Sequence, residues 1–280
     1  MGSGHRQHLL DATCGRMGFA AVLCLGMVFP RAAHGEDCWF PDALFPDSSQ
    51  PATGTFVAQP TFAVHAGAAW SVGYVPPFRA GARDRGTAGL AGVMRVAPFE
   101  VHARWNWLSD TTPAGTVSGP GDLSLGTVAT LARPGPFDVT LGWDVKLPNA
   151  ADEGELGTDE TDVRFGASTG WRGGDFSARL GVGLAVLGNP LRFANQDDVP
   201  LVRAAGAWER GSLGIIGRFD ADIPTARNPA RVEGNVALRW GTRWYGLAHG
   251  GGGFVPAAAD WHVGFAVGYA GTLPGRRPGA

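Results

Sequence analysis

Residues 137–147 read FDVTLGWDVKL, and their alternation is unbroken. Phe137, Val139, Leu141, Trp143, Val145 and Leu147 take one side; Asp138, Thr140, Gly142, Asp144 and Lys146 take the other. Successive side chains of a strand point to opposite faces. The segment therefore predicts a strand with one apolar face and one polar, partly charged face. A soluble sheet shows this once or twice, but here it recurs along almost the whole chain after residue 60. Phe99, Val101, Ala103, Trp105 and Trp107 alternate with Glu100, His102, Arg104 and Asn106. Leu213, Ile215, Phe219 and Ile223 oppose Arg218, Asp220 and Asp222. Val232, Val236, Leu238 and Trp240 oppose Arg231, Glu233, Asn235 and Arg239, and Trp261, Val263, Phe265, Val267 and Tyr269 complete the set. Apolar toward lipid and polar toward a lumen is the pattern of a transmembrane barrel.

The segments that alternate are 62–75, 87–97, 99–109, 121–132, 137–147, 161–171, 176–187, 199–209, 213–223, 231–241, 244–254 and 260–271. They give about twelve strands of roughly ten residues or more, the length a tilted strand needs to cross a bilayer. Tight turns are expected at residues 97–98, 133–136, 172–175, 209–212 and 241–243, and longer connections at 76–86, 110–120, 148–160, 188–198 and 224–230. Short turns on one side and long loops on the other mark single-chain outer-membrane barrels, with the turns periplasmic. The expected fold is all-β: a single antiparallel up-and-down transmembrane barrel with longer outer loops. Trp143, Trp171, Trp208, Trp240 and Trp261 fall on apolar faces, several near strand ends, as an interfacial girdle requires.

The N-terminus reads as an export signal. His5, Arg6 and Arg16 precede an apolar run at 17–29, and Ala33, His34 and Gly35 offer a cleavage site. The expected organisation is a signal peptide at 1–35, a periplasmic extension at 36–60, the barrel at 61–271 and a tail at 272–280. No later stretch supplies about 18 uninterrupted apolar residues, which excludes a helical membrane protein. Cys14 and Cys24 fall in the signal region, and Cys38 alone builds no disulfide framework. The 44 glycines and 10 tryptophans suit strands with tight bends and interfacial rings. A net charge of −2 argues against nucleic acid as a partner. The last strand's aromatic is Tyr269, with a Gly/Pro/Arg-rich segment beyond it.

If the apolar face meets lipid, the charges line the lumen. The lumen-lining candidates are Glu100, His102, Arg104, Asp138, Asp144, Lys146, Asp162, Arg164, Arg179, Arg203, Arg218, Asp220, Glu233 and Arg239, joined by Glu209, Asp222 and Arg231. Both signs are present, so cross-strand ion pairs filling a narrow bore and a wet pore with cationic and anionic walls are both compatible. A one-signed lining would have predicted ion selectivity. The acidic run 152–160 lacks the spacing of a calcium loop and reads as a solvated loop. No cofactor, metal site or catalytic residue is expected: Gly-x-Ser-x-Gly, His-Glu-x-x-His, a P-loop and Cys-x-x-Cys are all missing. His65, His102, His249 and His262 fall on separate strands. His102 and Ser124 face inward on neighbouring strands, but no orienting acid is evident beside them.

GDLSLG at 121–126, VKLP at 145–148, and LGT at 156–158 with Asp162 six residues after Leu156 resemble the transporter-like outer-membrane proteins of the phenol-degradation meta-pathway family. The resemblance covers about residues 119–190 in order and spacing. It departs at Asn149, Ala150 and Asp159, where that family usually shows Thr, Gly and Gly. It implies an outer-membrane barrel, often found with pathways for aromatic or hydrophobic compounds.

The expected function is a passive channel for small, hydrophobic or aromatic molecules, selecting by bore, by inward charges such as Arg104, Lys146 and Arg218, and by loops 110–120, 148–160 and 188–198 as gates. A sealed barrel that presents loops is the alternative, and an outer-membrane lipid enzyme a third reading. Expected partners are outer-membrane lipid and lipopolysaccharide, the barrel-assembly machinery and a small-molecule solute.

Overall fold

The computed structural model describes residues 61–74, 83–149, 156, 161–188, 197–225, 230–255 and 260–272. The expected signal peptide, the 36–60 extension, Cys38, the tail beyond residue 272 and the acidic run apart from Leu156 lie outside the described residues. Twelve strands form one antiparallel barrel: β1 (Thr61–Tyr74), β2 (Arg83–Val96), β3 (Phe99–Thr112), β4 (Gly115–Ala132), β5 (Phe137–Leu147), β6 (Asp162–Gly173), β7 (Phe176–Leu187), β8 (Asp197–Arg210), β9 (Leu213–Asp222), β10 (Arg231–Gly241), β11 (Trp244–Gly253) and β12 (Trp261–Thr272). Each strand pairs with its neighbours in sequence, and β1 pairs with β12 from Thr61↔Thr272 to Val72↔Trp261, so the sheet closes without an edge. Closure is what lets strands cross a bilayer, because every ladder group finds a partner within the wall.

Burial follows the alternation in an order opposite to that of a soluble protein. On β5, Leu141 is 47% exposed whereas Asp144 is 1% exposed. The outward face carries Val64, Leu90, Phe99, Trp143, Val182, Leu238 and Phe265, all exposed. An apolar surface of that extent, wrapped round the whole barrel, calls for lipid rather than water.

Both chain ends of the barrel lie with the short turns. Gly174 and Gly211 sit in two of those turns with φ of 58° and 61°, a left-handed conformation that glycine adopts without a Cβ clash. At the opposite end, the expected long connection at 110–120 is replaced by strand. β3 and β4 continue to Thr112 and from Gly115, joined only by Pro113 and Ala114, with Thr111 and Thr116 hydroxyls 3.1 Å apart across the turn. Pairing between β4 and β5 stops at Leu123↔Leu147, so the hairpin extends past β5, while β2 stays paired with β3 as far as Asp84↔Thr111. The shift of register between Trp105 and Trp107 falls opposite Pro120, a place where a residue without an N–H is tolerated.

Candidate functional site

The inward face of the wall is the candidate site. Register places each expected lumen residue on it: Arg104 faces Ser124, Lys146 faces Asp162, Asp144 faces Arg164, and Arg203 faces Asp220, which faces Glu233. Arg179 and Arg239 lie nearer the turn end of the same face, and Glu100, Asp138 and Glu209 accompany them.

The ions engage one another across strands. In the sector β3–β6, Lys146 Nζ lies 3.2 Å from Asp122 Oδ2 and 2.9 Å from Asp162 Oδ2. Arg164 reaches Asp162 at 3.8 Å and Asp144 at 3.5 Å, and His102 Nε2 lies 3.1 Å from the other Asp144 oxygen. The result is one chain of groups, Asp122–Lys146–Asp162–Arg164–Asp144–His102. Its carboxylates also hold the outer connections: the Asn149 N–H donates to Asp122 and the Gly188 N–H to Asp162. On β8–β10, Arg203 reaches Asp220 at 2.7 Å and Asp222 at 3.4 Å, Arg218 clasps Asp220, and Arg231 clasps Glu233. Near the turns, Arg95 pairs with Glu100, Arg179 with Asp138 and Arg239 with Glu209. Burying ions is costly unless they are paired and hydrogen-bonded, and here most share their charge with a neighbour on the next strand.

Several residues of the site were missed by sequence reasoning. Asp110 accepts both Nε and Nη2 of Arg85 at 2.6 Å and Arg83 Nη1 at 3.1 Å, and all three side chains are buried at the loop end. They fell in segments read as loops, though Asp110 continues the β3 alternation of Glu100, Arg104 and Asn106. Leu156, a lone described residue of the β5–β6 connection, is buried against Leu108 and stacked over Gly119. The connection thus touches the inner wall at this point.

The strand histidines do meet other groups. His65 Nδ1 lies 3.1 Å from the Tyr245 hydroxyl, the His249 and His262 rings meet tilted by 45° with centroids 6.1 Å apart, and His262 Nε2 is hydrogen-bonded to Asn235 Oδ1. The pairing of His102 with Ser124 is different. His102 stands opposite Gly126 and engages Asp144, whereas Ser124 accepts a hydrogen bond from Arg104. The ring of His102 lies flat on the wall over Gly126, where a Cβ would collide with it.

Fold and site together define an outer-membrane-type β-barrel with a polar interior. No family model matches the chain, and no curated protein matches it. Among solved structures it is similar to the COG4313 outer membrane channel from Pseudomonas putida F1, with a TM-score of 0.54 and 13% identity over 78% of this chain and 99% of that one. It is also similar to the KdgM porin, with a TM-score of 0.51 and 10% identity over 74% of this chain and 98% of that one. At such identities the likeness shows the fold.

Proposed function

We propose that this protein is a passive outer-membrane channel for small molecules, hydrophobic or aromatic ones among them. In this reading it is exported through its N-terminal signal to the outer membrane of a Gram-negative-type cell, with its short turns periplasmic. It does no catalysis and uses no cofactor. The observation that carries the reading is the closed wall itself: apolar side chains such as Leu141, Phe165 and Val182 face outward, and the polar groups gather round the central axis. The fold shared with an outer-membrane channel and a porin supports it. So do the 121–126 and 156–158 motifs, on which membership of the phenol-degradation meta-pathway family is proposed. Because the inward ions are engaged with one another, they shape and stiffen the bore instead of concentrating a counter-ion in it. Movement is downhill, along a concentration gradient.

A specific observation favours a second reading. Arg85, Asn106, Asp144 and Arg164 face inward yet are 1–2% exposed, as in a barrel sealed by its own contents. Solute swelling of vesicles holding the refolded protein separates the two. Swelling in small uncharged solutes is expected of a channel. Vesicles that stay tight, although the protein migrates as a folded barrel, belong to the sealed form.

A further inference from the structure

The charged sectors of the wall leave one sector bare. β11, β12 and β1 are neighbours only because the barrel closes between the first and last strands. Their sequences, WYGLAHGGGG, WHVGFAVGYAGT and TFAVHAGAAWSVGY, contain no Asp, Glu, Lys or Arg. On their inward face, glycine, alanine and the single larger apolar side chain Leu247 alternate with neutral hydrogen-bonding groups: Ser71, His65, Tyr245, His249 and His262, with Asn235 of β10 at the border. These residues run from the turn end, at Tyr245, to the loop end, at Ser71.

Two features make this sector a path rather than wall filling. First, the rings lie along the wall. A Cβ on Gly264 would strike the His249 ring and one on Gly268 the Tyr245 ring, so the glycines let those side chains lie against the wall. Second, hydrogen-bonding capacity is left over. His262 is 2% exposed and its Nδ1 is buried without a hydrogen-bond partner among the described residues, where His249 makes only its ring contact with His262. A buried polar atom without a partner carries a desolvation penalty that a passing hydroxyl relieves. The charge of an ionic solute gains no such relief, because this sector offers it no counter-charge and the ions on β4–β6 and β8–β10 lie paired with one another.

We propose that the β11–β12–β1 sector is the solute lane, and that it takes small uncharged molecules bearing hydroxyl groups. The proposal rests on the channel reading above. Three hexose-derived sugars of one pyranose frame test it in vesicles holding the full chain: glucose, glucuronate and protonated glucosamine. Glucose is expected to enter fastest, with both ions slower by about tenfold or more, the penalty for carrying a charge past engaged counter-charges. Ala69→Asp on β1 and Ala266→Asp on β12 each place a carboxylate in the lane, and either is expected to raise glucosammonium uptake to the glucose rate. Asp175→Asn, in the exposed β6–β7 turn, is expected to change nothing. Equal rates for the three sugars overturn the lane, and so do folded Asp variants that keep the wild-type ratios. Ion currents without uptake of any sugar overturn the lane and leave the channel standing. Neither currents nor uptake means that the channel reading itself has failed.

Discussion

Asp162 shows how much one inward carboxylate does. It faces Lys146 in register, also approaches Arg164, and accepts the Gly188 N–H where β7 gives way to its outer connection. Removing it leaves Lys146 to Asp122 and Arg164 to Asp144, one carboxylate fewer for two buried cations, so Asp162→Ala is expected to destabilise the barrel by about 1–3 kcal/mol. Urea unfolding in lipid vesicles measures this, and a loss below about 1 kcal/mol would mean that water already screens the cluster. The inward placement of Asp162 was legible because its neighbours Val163 and Phe165 mark the apolar face. Its partners were legible only as a set of opposite charges, since pairing depends on register between strands. The contact of His65 with Tyr245 was beyond local reading, because 180 residues separate the two in the chain.

Among the elements, the expected bounds of β7 (176–187) and β10 (231–241) are those of the structure, and so are the bounds 137–147 of β5. Strict alternation leaves no second way to bury one face. Leu141→Arg, which turns a charge to lipid near the middle of that strand, is expected to cost about 2–4 kcal/mol in the same unfolding measurement. A neutral result would place Leu141 away from hydrocarbon. The β3–β4 hairpin was the least legible. Residues 110–120 hold Asp, Thr, Pro, Ala, Gly and Ser, the composition of a loop, and ladder pairing from Asp110↔Val117 to Thr112↔Gly115 overrides it. The hairpin tip gives a test of orientation in a chain whose Cys38 is replaced by serine. Ala114→Cys is expected to react with a membrane-impermeant maleimide on intact cells, and Asp175→Cys only after the outer membrane is opened. The reverse pattern would put the short turns outside.

At the scale of the whole molecule, the decisive event is closure. Strands from the two ends of the barrel sequence come together, and the three that carry no fixed charge become one continuous sector opposite a wall of ion pairs. The number of strands and the facing of their residues could be read from alternation. This division of the lumen could not, because it exists only once β1 meets β12. What passes through the lumen is the central claim, and single-channel recording in a planar bilayer tests it most directly, using refolded protein shown by gel migration to be a folded barrel. The account predicts discrete, reproducible openings with little preference for either sign of ion. A folded barrel that stays electrically silent would contradict it and leave the sealed form.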